Sequence, residues 1–198
     1  MKAIEKTRKF LKKYRHAWVL LYILIYMPWF LYLEQRSSVH YYVIHSPIDN
    51  HIPFIEYFII PYLLWFVFIA VTMGYFFFTD KWGFYRLSAF MFTGMTLFLI
   101  ICTVFPNALN LRPVTFARDN IFVDLVKFIY RADTPTNVLP SIHVFNSIAV
   151  CVAISHSDAL RKHRKVQCSA YVLAFLIILS TMFLKQHSVT DVIAAVAM

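Results

Sequence analysis

From Ala17 to Leu33 the chain carries no charged side chain, and the same holds from Tyr57 to Thr79, from Leu87 to Phe105 and from Val166 to Leu184. A bilayer core about 30 Å thick takes about 20 apolar residues of helix, at 1.5 Å rise per residue. Inside lipid, each such run must satisfy its own backbone polar groups, which a helix does. A fifth run, Ile142 to Ser155, is shorter and holds His143 and Asn146 near its start. A sixth starts at Ser188 and reaches Met198, a rise of only about 16 Å, so a continuation of about ten residues is expected. The expected fold is all-α: a polytopic membrane protein, a six-transmembrane helical bundle with its last helix incomplete. The whole of 1–198 is read as a single membrane-embedded domain.

Composition agrees. Hydrophobic residues make up 60% of the chain and charged residues 15%, where soluble domains carry about 25% charge. A soluble enzyme and a disordered chain are both excluded on this ground. The net charge of +9 would suggest nucleic acid in a soluble protein. Here the basic residues sit between apolar runs, so membrane lipid is the expected partner and nucleic acid is not. Cys102, Cys151 and Cys168 lie in or beside apolar runs without zinc-type spacing and read as small buried hydrophobes.

Orientation follows from the basic residues. Six spans put the segment 1–16, the loop with Lys81 and Arg86, and the loop from Arg161 to Lys165 on one side, with thirteen of the nineteen Lys and Arg residues. That side is expected to be cytoplasmic. The long loop from Pro106 to Pro140 and the turn Lys185–His187 then face outward. Within the long loop, Ile121, Phe122, Leu125, Val126, Phe128 and Ile129 recur at helical spacing. They predict an amphipathic helix over 118–131, lying on the interface, with Asp119, Asp124 and Asp133 on its solvated face. His40, His45 and His51, with Asp49, do not share a helical face, and no metal site is expected there.

Ionisable groups within membrane helices are costly and mark function. His143 begins the fifth run, and Asp191 lies one turn inside the sixth, four residues after His187. On a helix that spacing puts His187 and Asp191 on one face. The carboxylate would then fix the imidazole tautomer and raise the basicity of its far nitrogen. The predicted topology brings Arg112 to the same side. A planar guanidinium suits phosphate oxygens, an oriented histidine suits nucleophilic attack, and a second histidine suits protonation of a leaving alkoxide. Together they form a metal-free set for phosphoryl transfer.

These residues resemble the type-2 phosphatidic acid phosphatase superfamily of lipid phosphatases and phosphotransferases. Its pattern is Lys, six residues, Arg-Pro; then Pro-Ser-Gly-His; then Ser-Arg, five residues, His, three residues, Asp. Arg112-Pro113 matches the end of the first motif. Pro140-Ser141-Ile142-His143 matches the second with Ile for Gly, and Ser180-Thr181, then His187 and Asp191, match the third with Thr for Arg. The resemblance implies His187 as nucleophile, Asp191 as its orienting carboxylate and His143 as acid to the leaving group. It implies Arg112 and Ser141 as phosphate ligands, a lipid phosphate substrate and no cofactor or metal. Phe105 and Thr181 stand where the family has Lys and Arg. Lys185 is the nearest replacement cation, with Lys127 and Arg131 as others. The Pro-Ser-Ile-His-Val and Lys-Gln-His-Ser-Val-Thr-Asp-Val stretches look closer to the branch of inositol phosphorylceramide and sphingomyelin synthases. The expected function is hydrolysis of a lipid phosphate ester or anhydride at the outer face through a phosphohistidine. Head-group transfer to an alcohol and non-catalytic lipid-phosphate binding or transport stand as alternatives.

Overall fold

The computed structural model describes Glu5 and residues 12–198. Most of the basic segment 1–16 lies outside these residues. The regular structure of the described chain is helical apart from one two-stranded pairing. A 3-10 segment, Arg15–Tyr22, runs on into helix α1 (Ile23–Glu34). Helix α2 (Ile59–Thr79) follows a 3-10 turn at Glu56–Phe58. Only Asp80 separates α2 from α3 (Lys81–Val104), and its Oδ1 accepts hydrogen bonds from the backbone N–H groups of Trp82 and Gly83, capping the new helix. The spans 15–34, 56–79, 81–104 and 164–183 are each long and apolar enough to cross a bilayer.

The amphipathic helix of the long loop is α4 (Ile121–Ala132), capped by Asn120, whose Oδ1 accepts from the N–H groups of Phe122 and Val123. Val123 and Val126 point inward while Ile121 and Phe128 are exposed, the two-faced pattern of an interfacial helix. Asp119 and Asp124 are exposed and meet Lys127, in keeping with the solvated face expected for them. Asp133 departs from that expectation: it forms the C-cap of α4 and faces a cavity beneath it. Periodicity places a residue on a helix face, but Asp133 lies beyond the last helical turn, where the chain has already changed direction.

Helix α5 (Ile142–His156), with 15 residues, is shorter than any of these four spans, and it occupies the middle of the bundle. It packs against α2, α3, α6 (Arg164–Phe183) and α7 (Val189–Ala197). Val144, Ala149 and Val150 are wholly buried. Enclosure explains its length: a helix surrounded by protein need not match the bilayer. Outer helices carry the exposed apolar surface, including Leu24, Val71, Phe78 and Phe175, as lipid-facing sides do.

At one end of the bundle, strand β1 (Tyr42–Val43) pairs in parallel with β2 (Asn107–Ala108), and Ala108 also bridges to Thr136. Asn107 is fully buried, and its Oδ1 accepts from the backbone N–H groups of Val138 and Leu139. A buried side-chain amide thus replaces the hydrogen bonds that this irregular segment lacks. It fixes the approach of the chain to Ser141 and the start of α5.

Candidate active site

Three loop regions meet at this end: residues 105–141, the turn between α6 and α7, and residues 45–52. The turn is pinned from below. Lys185 has a left-handed backbone, φ 53°, and its Nζ donates to the carbonyls of Asp49 and Ile52. Asp49 is buried and accepts from the Ser188 hydroxyl at 2.6 Å and the Val189 N–H at 2.9 Å. The Tyr130 hydroxyl donates to the Leu184 carbonyl at 2.6 Å. The result is a rigid pedestal for Gln186 and His187.

His187 precedes helix α7 instead of lying on it. Ser188 is the N-cap and Asp191 the third helical residue, and the two form a capping box. Asp191 Oδ2 accepts from the Ser188 N–H at 2.8 Å and lies 3.3 Å from His187 Nδ1. The expected pairing is present, but through a turn and a cap and not through a shared helix face. Asp191 is fully buried, and its backbone carbonyl accepts from the Ser141 N–H at 3.2 Å, which ties the start of α5 to α7.

His143, in the first turn of α5, lies 5.8 Å from His187 between ring centroids. Tyr62 and Trp65 of α2 pack on its ring at 4.7 and 4.4 Å. Its Nε2 is buried without a hydrogen-bond partner, as is the Ser141 hydroxyl. Both histidines open on a cavity of about 320 Å³. Its polar wall includes Asp133, Thr134, Thr136, Asn137 and Gln186. Its apolar wall, with Tyr26 and Phe30 of α1, Phe66 of α2 and Phe98 of α3, continues down among the membrane helices. One space therefore has a polar end with two imidazoles and an apolar end fit for a hydrocarbon chain.

The remaining sequence-predicted residues have distinct fates. Arg112 Nη1 donates to the carbonyls of Tyr130 and Asp133, and Nη2 donates to the carbonyl of Thr134 and to Gln186 Oε1. Its guanidinium stacks on the Tyr130 ring at 4.5 Å. It therefore closes the C-terminal end of α4, where a cation complements the helix dipole. It does not line the cavity. Burial lowers its pKa, opposed by the nearby Asp133 carboxylate. Lys185 is committed to the loop below and does not reach the cavity either. Lys127 pairs with Asp119 and Asp124 at the surface. At the two family cation positions, Phe105 stacks on Tyr42 at 4.9 Å, and Thr181 is fully buried with its hydroxyl bonded to the Ile178 carbonyl of its own helix. The polar end of the cavity carries no free cation among the described residues.

Sequence reasoning missed Asp133, Gln186, Asp49 and Tyr62. Burial raises the pKa of Asp133, while Arg112 and His187 pull the other way. No periodicity marks these residues. Only the adjacency of Gln186 to His187 was available as a signal.

No curated protein and no solved structure matches the chain. The family model described as the PAP2 superfamily matches residues 87–198, which span α3 from Leu87 onward, the long loop and all of α4 to α7. More than half of the chain is covered, both histidines and Asp191 included, and the chain belongs to the PAP2 superfamily, that of the type-2 phosphatidic acid phosphatases.

Proposed function

We propose that this membrane protein transfers the phosphoryl group of a lipid phosphate, or its substituted phospho-head-group, by way of a covalent phosphohistidine at His187. Lipid phosphatase or phosphotransferase chemistry comes with the family. The observation that carries the finer reading is the pair of imidazoles at one cavity: His187 held by Asp191, and His143 with a free Nε2. The Nε2 lone pair of His187 attacks phosphorus, forming a P–N bond as the P–O bond to the lipid breaks. Protonated His143 gives its proton to the departing alkoxide. Water or an alcohol then loses its proton to His143 and attacks phosphorus, and the P–N bond breaks.

The aromatic wall between α1, α2 and α3 supports entry of the lipid tail from the bilayer. The excess of Lys and Arg on the opposite loops supports an extracytoplasmic site with the N-terminus in the cytoplasm. The closed positions of Phe105 and Thr181 favour a singly charged, substituted phosphate over a doubly charged one, and so keep head-group transfer as a second reading. The test uses purified protein and a panel of lipids labelled at phosphorus, quenched in alkali, where phosphohistidine survives. The expected result is label on His187 that chases into free phosphate or into an added alcohol, and no label in His187→Ala. An intact protein that never takes up label and turns over no lipid overturns the reading.

A further inference from the structure

The structure assigns to Gln186 the role that a cation plays in the family pattern: its side-chain amide, aimed by Arg112, donates a hydrogen bond to the phosphate bound between His143 and His187. The inference rests on the reading of the cavity as a phosphate site. It starts from the donor inventory of Arg112. Its two terminal nitrogens have four N–H groups, and the four bonds they make go to the carbonyls of Tyr130, Asp133 and Thr134 and to Gln186. Nothing but Nε–H is left over. Arg112 is therefore unable to grip a phosphate directly without releasing the end of α4.

Arginine only donates, so the Gln186 atom facing it must be the amide oxygen. That fixes which way the amide points, a matter otherwise open for glutamine. The amide nitrogen is then turned away from Arg112. Gln186 is 3% exposed, lines the cavity with both histidines, and its Nε2 makes no hydrogen bond of good geometry. The Tyr62 hydroxyl, also in the wall, interacts with the Gln186 amide, though outside ordinary hydrogen-bond geometry. A buried amide nitrogen with so weak an acceptor is incompletely satisfied, and a phosphate oxygen would give it a full hydrogen bond. The side chain before the nucleophile is also well placed: backbone N–H groups of Gln186 and His187 both bond to the Thr181 carbonyl, so the pair is held as one unit. Polarisation by the guanidinium on its oxygen strengthens the amide as a donor. Arg112 thus acts as a positioning residue, and its charge reaches the phosphate through a neutral group.

Gln186→Glu tests this directly. Glutamate keeps an oxygen for Arg112, and gains an ion pair with it, but loses the N–H donor. The probe is orthovanadate, whose binding is measured by calorimetry on the detergent-purified full chain and also as inhibition of lipid turnover. Expected is a loss of vanadate affinity and of kcat of about 100-fold, the usual effect of removing one preorganised donor. Thermal stability stays at or above wild type. Gln186→Met supplies a second variant, losing affinity similarly and stability as well. Wild type that binds vanadate but turns over no lipid counts against the enzyme reading alone, and the comparison with Gln186→Glu still reads the amide. Equal vanadate affinity in wild type and a folded Gln186→Glu, or no vanadate binding in either, overturns the assignment.

Discussion

Asp191 holds His187 with the same oxygen that caps helix α7: Oδ2 lies 3.3 Å from His187 Nδ1 and accepts from the Ser188 N–H at 2.8 Å. The orientation of His187 and the start of α7 therefore share one carboxylate. Two substitutions separate them. Asp191→Asn keeps an oxygen for the cap but removes the carboxylate that faces His187 Nδ1. It is expected to lower kcat by about 10²–10⁴-fold with little change in thermal unfolding. Asp191→Ala loses the cap as well, at a further cost of about 1 kcal/mol. Turnover and unfolding measured on both variants check the split; equal unfolding midpoints for the two would refute it.

Lys185 is expected to matter for stability and not for phosphate binding. Burial lowers its pKa while Asp49 raises it, and its two hydrogen bonds run to backbone carbonyls below the turn. Asparagine tolerates the left-handed backbone at this position but is too short to make those bonds. Lys185→Asn should destabilise the protein by about 1.5–3 kcal/mol, the range for charge-assisted bonds. The KM of the folded fraction should stay near that of wild type. A large rise in KM without loss of stability would return Lys185 to the binding site.

The apolar runs made the bundle legible, because spanning length and lack of charge are one-dimensional properties of sequence. The helix of the outer loop was legible for the same reason, its two faces being written at helical period. Spacing also foresaw that His187 and Asp191 meet, though the cause is a capping box and not a common helix face. What remained hidden depends on tertiary contacts. Arg112 lies at the same end of the bundle as the two histidines, but its partners are carbonyls at the end of α4 and Gln186, which no local pattern encodes. Asp133 was read as solvated because the cavity that receives it is assembled from α1, α2, α3 and the turn after α6. Lys185 stood two residues from His187 yet points the opposite way, since its left-handed backbone reverses the chain there.

The Asp133 carboxyl titrates above its ordinary range because burial disfavours its charged form. The folded state thus holds its proton more tightly than the unfolded state does. The sign follows: Asp133 has no effect on stability below the unfolded value of 3.8, and it lowers stability as pH rises from there through the raised folded value. Asp133→Asn removes the titration. Its unfolding midpoint should exceed that of wild type at pH 7, and the difference should shrink as pH falls toward 3.8. Denaturation in detergent across this range checks it; a gap independent of pH would show that the carboxylate is not the cause.

Gly94 of α3 faces the ring of Phe145 in α5, and a Cβ built there would stand 2.0 Å from Phe145 Cε1. In an isolated helix, Gly→Ala is stabilising by about 1 kcal/mol. Here the contact decides the sign, because the ring has nowhere to go: Phe145 is 5% exposed and also packs edge-on against Phe90 at 5.2 Å. Gly94→Ala must push α3 and α5 apart or tilt the ring, at a cost of about 1–3 kcal/mol. His143 lies two residues before Phe145 on the same helix, so the displacement also moves its imidazole relative to His187. Both unfolding temperature and kcat should fall. Phe145→Leu removes the ring edge that the new methyl strikes. The double variant Gly94→Ala/Phe145→Leu should therefore be more stable than the sum of its single changes predicts, and it should recover part of the lost turnover. Strict additivity in both measurements would mean that this contact does not set the position of α5.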